Sequence, residues 1–171
     1  MLRMLQGTVL LAFSALSVAG APTIPDEIKV PAGEKLVLKA HATGFQIYTC
    51  KADGGRAQWD LKAPDADLHD RKGAVIGHHF AGPTWKHKDG SEVTGKASAH
   101  VDSPDASSIP WLLVSATGHT GEGVFAKVSS IQRINTKGGK PPAGAECTAA
   151  SNGTESKSAY SADYYFYKPA K

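Results

Sequence analysis

Only two cysteines, Cys50 and Cys147, occur among the 171 residues. No Cys-x-x-Cys is present, which excludes a zinc ribbon or a thioredoxin-like redox motif. The histidines show neither His-x-His nor His-Glu-x-x-His spacing. Runs of five or more like charges are absent, and the formal net charge is only +3. Neither an electrostatic tail nor a nucleic-acid partner is therefore indicated. Internal repeats and low-complexity stretches are missing, and helical periodicity is scarce. What the chain does hold is 18 Gly and 10 Pro, with 41% hydrophobic and 20% charged residues. That content excludes a wholly disordered chain, and the turn residues argue against a helical bundle.

The amino terminus has the pattern of a secretory signal peptide over Met1–Ala21. Arg3 supplies the positive end, Thr8 to Val18 is apolar, and small residues Ala19, Gly20 and Ala21 follow. Ala19 three positions before a cut after Ala21 fits the usual cleavage pattern, although Pro22 favours a cut one or two residues earlier. The apolar stretch is short for a bilayer core of ~30 Å. No later segment reads as a membrane span. The expectation is a secreted protein, extracellular or periplasmic, whose residues 22–171 form a single β-rich domain.

Export decides how the cysteines are read. In an oxidising compartment an even pair most often forms a disulfide, and only one connectivity is possible. A thiolate nucleophile and a metal ligand are the alternatives, both weak for two distant cysteines.

Along the mature chain, short alternating segments are separated by turn residues. Strands are expected at Lys35–Ala42, Phe45–Cys50 (with Gly44 as a break), Ala57–Leu61, Ala74–Phe80, Thr84–Lys88 and Ser91–Gly95. Asp89-Gly90 supplies the turn of a hairpin. Ile109–Ala116 reads as a strand buried on both faces, with Pro110 at its start. Gly123–Ile134 reads as a long strand, and Tyr160–Tyr167 as the last, with Tyr160, Ala162, Tyr164 and Phe166 on one face. Pro64–Gly73 and Thr136–Asn152 read as loops. About eight to ten short strands predict an all-β, antiparallel sandwich or barrel with one disulfide. The last strand is expected to pair with an early one.

A set of motifs then stands out: Tyr48-Thr49-Cys50, His79-Phe80-Ala81-Gly82-Pro83-Thr84-Trp85, Asp89-Gly90-Ser91, Ile109-Pro110-Trp111-Leu112-Leu113, Ile131-Gln132-Arg133, Thr136-Lys137-Gly138-Gly139, Cys147, and Tyr160 to Phe166. In this order they resemble a family of secreted bacterial and fungal proteins known only as a domain of unknown function. The resemblance spans about Ile24 to Tyr167. It implies one exported β-rich domain and no established activity. Some fungal relatives carry a malate dehydrogenase label. Gly121-Glu122-Gly123-Val124-Phe125-Ala126 does match G-x-G-x-x-A, but a dinucleotide site needs a strand before it and a helix after it. Neither is expected here.

Three chemistries compete for the remaining polar and aromatic residues. His78, His79 and His87 lie within ten positions, and a hairpin could bring His79 and His87 together for a metal-dependent secreted enzyme using nearby carboxylates. Adjacent strand residues point to opposite faces, so His78 and His79 do not share a metal easily. Trp59, Trp85 and Trp111, if two faced outward, could stack on sugar rings. Otherwise they fill the core. Ser91 beside Asp89, or Ser115 near His119, suggests a hydrolase only weakly, since neither lies in a nucleophile elbow. Arg133 interrupts an apolar strand, so it either forms an ion pair, with Asp163 or Glu122, or lines a cavity.

The reading is a non-catalytic ligand-binding or cell-envelope module, with a carbohydrate or envelope component as its partner and no cofactor or metal. The expected ligand-binding residues are His79, Trp85, Asp89 and Arg133 on one concave surface. Asn152-Gly153-Thr154 is a glycosylation sequon, relevant only to a eukaryotic source.

Overall fold

A computed structural model describes residues 23–171. The signal-peptide expectation for Met1–Ala21 lies outside the described residues. Eight strands run in chain order: β1 (Glu34–Asp53), β2 (Arg56–His69), β3 (Val75–Phe80), β4 (Thr84–His87), β5 (Glu92–Val101), β6 (Trp111–Thr120), β7 (Ser130–Gly138) and β8 (Glu155–Pro169). Each pairs antiparallel with the next, and β8 returns to pair with β1 from Glu34↔Pro169 to Thr49↔Glu155. The sheet is thus a closed barrel rather than a sandwich, and free edges remain only where the short β3–β4 hairpin does not reach along β2 and β5.

Side-chain alternation sorts the barrel into an inner and an outer set. On β8, Tyr160, Ala162, Tyr164 and Phe166 point inward and are buried. They pack with Ala40, Ala42, Ala66, Leu68, Trp85, Val93, Val114 and Ile131 from other strands. The outward residues Trp111 and Ile134 are also buried, beneath Ile28. Ile28 belongs to a single 3₁₀ turn, Asp26–Ile28, that lies outside β6 and β7. Its carbonyl accepts a 2.7 Å hydrogen bond from Gln132 Nε2. This cover explains why the Ile109–Ala116 stretch is apolar on both faces.

Several segments differ from the sequence expectation, among them Asp65–His69 and Thr136–Gly138, which read as loop but complete β2 and β7. Gly44 does not break β1. A Cβ there would lie 2.2 Å from the Asp65 carbonyl oxygen, so the glycine permits close contact of β1 with β2. Pro64 lies inside β2, not in a loop. It pairs with Gln46 of β1, while β3 first meets β2 at Ala66, so the side of Pro64 away from β1 has no strand to donate to. The long strand expected at Gly123–Ile134 begins only at Ser130. Gly121 and Gly123 take positive φ of 71° and 139°, and the chain turns through Ala126 N–H to Gly123 O and Val128 N–H to Phe125 O. Val124, Phe125 and Val128 give this loop the apolar content of a strand, but they fold inward as a plug.

Cys50 and Cys147 are joined, with Cα atoms 5.3 Å apart. The bridge ties the β7–β8 connection to the β1–β2 hairpin. Tyr48 OH to Gly139 O at 2.6 Å and Trp59 Nε1 to Ala143 O at 3.3 Å hold the same connection. Among the described residues no helix is long and apolar enough to cross a membrane.

Candidate functional site

The two ends of the barrel are built differently. At one end Phe125 is fully buried, its ring 4.5 Å from that of Phe166 and 5.7 Å from that of His87. Asp89 holds this plug. Its Oδ2 accepts from the Val124 amide at 2.9 Å, and its Oδ1 accepts from the Ser91 hydroxyl at 2.6 Å. Ser91 Oγ in turn accepts from the Phe125 amide at 3.1 Å. Burial alone would raise the Asp89 carboxyl. The hydrogen bonds from Ser91 and Val124, with His87 nearby, outweigh it and hold the group well below the usual carboxylate range. The Ser91 hydroxyl is therefore committed to a loop brace, not poised as a nucleophile.

At the other end the wall has a gap. The β3–β4 hairpin is short and turns at Ala81–Pro83. Beyond it, β2 from Arg56 to Asp65 pairs only with β1, and β5 from Lys96 to Val101 pairs only with β6. Leu61, Pro64, Pro83 and Ala97 stand around this opening and line a cavity of about 190 Å³. Gln46, His79, Trp85, Leu112, Val114, Arg133 and Tyr164 complete its walls.

His79 and Trp85 pair across β3 and β4, and their rings stack at 4.3 Å and 6°. Tyr164 meets both edge-on, at 5.3 and 5.6 Å. Gly95 makes room for this pair: a Cβ there would lie 2.5 Å from Val114 Cγ1 and 3.4 Å from the Trp85 ring. His79 Nδ1 donates to the Thr84 carbonyl at 2.8 Å. Burial drives the pKa of His79 down to about 3, against the Thr84 hydrogen bond and with a further contribution from Arg133. The imidazole is thus neutral, with its proton on Nδ1 and an acceptor at Nε2.

Some wall residues carry polar atoms that are sealed from the cavity. Trp85 Nε1 and Gln46 Nε2 are buried without a hydrogen bond among the described residues. The hydroxyls of Tyr160 and Tyr164, on one face of β8, are equally buried and lie close to each other. Arg133 sends Nε and Nη2 to the Pro110 carbonyl at 3.3 and 2.9 Å. No carboxylate among the described residues pairs with it. The expected ion pair with Asp163 does not form, because Asp163 points outward to His41 at 2.9 Å and Asn135 at 2.8 Å.

Of the four expected site residues, the fold brings His79, Trp85 and Arg133 to one cavity and places Asp89 at the plugged end. His79 and His87 are not brought together, since the register pairs His79 with Trp85 and Gly77 with His87. His87 lies 3.0 Å from Asp89 instead. Outward-facing His78 sits 3.1 and 3.0 Å from Asp65 and Asp67. No cluster of three or more metal-ligating side chains occurs among the described residues. The tryptophans form no outward platform: Trp85 is inside, Trp111 is covered by Ile28, and Trp59 is bonded to Ala143. Gln46, Tyr164 and Leu112 escaped the sequence reading as site residues. Only the inward phase of Tyr164 on β8 hinted at its place.

Residues 31–168, which span the barrel from just before β1 to the penultimate residue of β8, match DUF3455, a family described as protein of unknown function. The chain belongs to this family. No curated protein and no solved structure matches it. The Gly121–Ala126 motif of this DUF3455 chain lies in the loop between antiparallel β6 and β7, where no βαβ unit exists to present a dinucleotide phosphate site.

Proposed function

We propose that this chain is an exported, non-catalytic binding protein that holds one small molecule in the open end of its barrel. The observation that carries the reading is the cavity itself. It opens through a gap in the barrel wall, and a largely apolar lining surrounds one cation, Arg133, and the neutral imidazole of His79. Concave, mostly apolar pockets with a few placed polar groups are where small molecules bind. About 190 Å³ would take roughly six waters at ~30 Å³ each, or one small organic molecule. His79, Trp85 and Arg133 are the contact residues in this reading. Export is supported by the amino-terminal pattern and by the disulfide, which persists outside the reducing cytoplasm. A single sugar or a fragment of an envelope component suits the cavity, whereas a polymer chain finds no pair of outward tryptophans to lie on, since Trp85 and Trp111 are buried.

The three indole N–H signals in an NMR spectrum provide the test. Fragments of about six to ten non-hydrogen atoms, titrated into the mature protein, are expected to shift the Trp85 indole and leave that of Trp111 in place. Ala97→Trp at the mouth is expected to abolish these shifts without lowering the melting temperature by more than a few degrees. Shifts confined to the outer face, or none, would overturn the reading.

A further inference from the structure

The cavity walls are unbalanced in a way that specifies charge. Leu61, Pro64, Pro83, Ala97, Leu112 and Val114 give them an apolar body. Arg133 is the one charged group in this lining, and it can only donate. The neutral His79 offers one acceptor, at Nε2, and no negative charge lines the cavity.

Arg133 is the decisive group. A guanidinium carries five N–H donors in a planar fork. The Nε and Nη2 donors that share the Pro110 carbonyl lie on one edge of that fork. The opposite edge, formed by one N–H of each Nη, receives no carboxylate from the protein. A permanent cation in a mostly apolar wall is costly unless an anion or several acceptors meet it. The free edge has the spacing at which a carboxylate binds bidentately. The backbone anchor at Pro110 fixes the side chain before any ligand arrives, so little further ordering is needed. The carboxylates next to the mouth in sequence do not meet Arg133: Asp60, beside Leu61, accepts from Gln58, and Asp65, beside Pro64, is engaged by His78 and Lys157 on the outside.

We propose that the ligand is a small apolar monocarboxylate, its carboxylate on the free edge of Arg133 and its apolar part between Leu112, Val114 and the mouth residues. The proposal rests on the binding reading above and specifies its ligand class. Arg133 is a binding residue here, and Trp85 and Tyr164 shape the apolar part of the site.

Benzoate and its neutral counterpart benzyl alcohol serve as probes, titrated into wild-type mature protein and Arg133→Gln while the Trp85 indole signal is followed. Benzoate is expected to bind at least tenfold more tightly than benzyl alcohol, and Arg133→Gln is expected to erase that preference while benzyl alcohol binding changes less than threefold. Equal or tighter binding of benzyl alcohol by the wild type would overturn the ligand class and leave the binding reading standing. A benzoate preference that survives Arg133→Gln would likewise overturn the proposal. If neither probe moves the Trp85 signal at ten-millimolar concentration, the ligand class and the binding reading both fall. Arg133→Lys, which keeps the charge without the fork, is expected to retain only part of the preference.

Discussion

His79 is a titratable side chain held away from water. It is buried, stacked on Trp85, and neutral because burial disfavours the charged imidazolium, with a smaller contribution from Arg133. In the unfolded chain the same side chain titrates near its ordinary value of ~6.5. Folded, it titrates at about 3. Between these values the unfolded state binds a proton that the folded state refuses, so stability rises with pH across this window. Read downward, stability is lost as pH falls from ~6.5 towards 3, with a slope from this one group of ~1.4 kcal/mol per pH unit. His79→Gln, which can still donate to the Thr84 carbonyl, should remove that slope between pH 6 and 4. Urea midpoints of both proteins at half-unit pH steps measure it. Unchanged slopes would mean that His79 accepts a proton in the folded state. The difference between the two proteins carries the information, since every other titratable group is common to both.

At the scale of elements, the sequence reveals pattern better than context. The alternation of Tyr160, Ala162, Tyr164 and Phe166 made β8 and its inward face legible, and the doubly apolar Ile109–Ala116 stretch gave a strand covered on both sides. Gly44 and Pro64 were misleading because the usual breakers can serve a sheet: one allows close approach of β2, the other sits where β2 has no second neighbour. Val124, Phe125 and Val128 were misleading in the opposite sense, since the apolar content of a plug loop looks in sequence like that of a strand. The site followed the same logic. His79 and Trp85 could be joined from one hairpin, and Arg133 from its intrusion into an apolar strand. Asp89 could not be excluded from sequence, because its partners, the Val124 amide and the Phe125–Ser91 contact, lie more than thirty residues away. The plug loop makes a separate prediction. Phe125→Ala should cost about 3–5 kcal/mol, as for other fully buried aromatics, and should open the end of the barrel opposite the cavity. Chemical denaturation gives the stability. Hydrogen exchange should then show Gly121–Ser129 losing protection ahead of β8. A loss below 1 kcal/mol would mean that the loop is not part of the core.

For the whole molecule, the closed circuit of strands and the disulfide divide the labour of holding the chain. The β1–β8 and β1–β2 ladders fix the barrel without the bridge, since β1 is registered against both neighbours over most of its length. The connection from Gly139 to Thr154 has no such ladder. It is held by two 3₁₀ turns, by the Tyr48 and Trp59 contacts, by Asn152 Oδ1 accepting from the Ala52 amide, and by the Cys50–Cys147 bond. The bond joins residues 97 apart. A loop of that size loses much of its freedom in the unfolded state when cross-linked, which the chain-entropy model puts at ~4–5 kcal/mol, with measured losses of about 2–5 kcal/mol on removing native bridges from small secreted domains. The double variant Cys50→Ser/Cys147→Ser, which leaves no lone thiol, should therefore lose about 2–5 kcal/mol in denaturant. It should nevertheless keep the native barrel, because the bridge acts chiefly on the unfolded chain. Its Trp85 indole signal and its β-sheet circular dichroism should match those of the wild type, while amides of residues 139–154 exchange faster. A variant that fails to fold, or one whose stability is unchanged, would contradict this division between a self-sufficient barrel and a stapled connection.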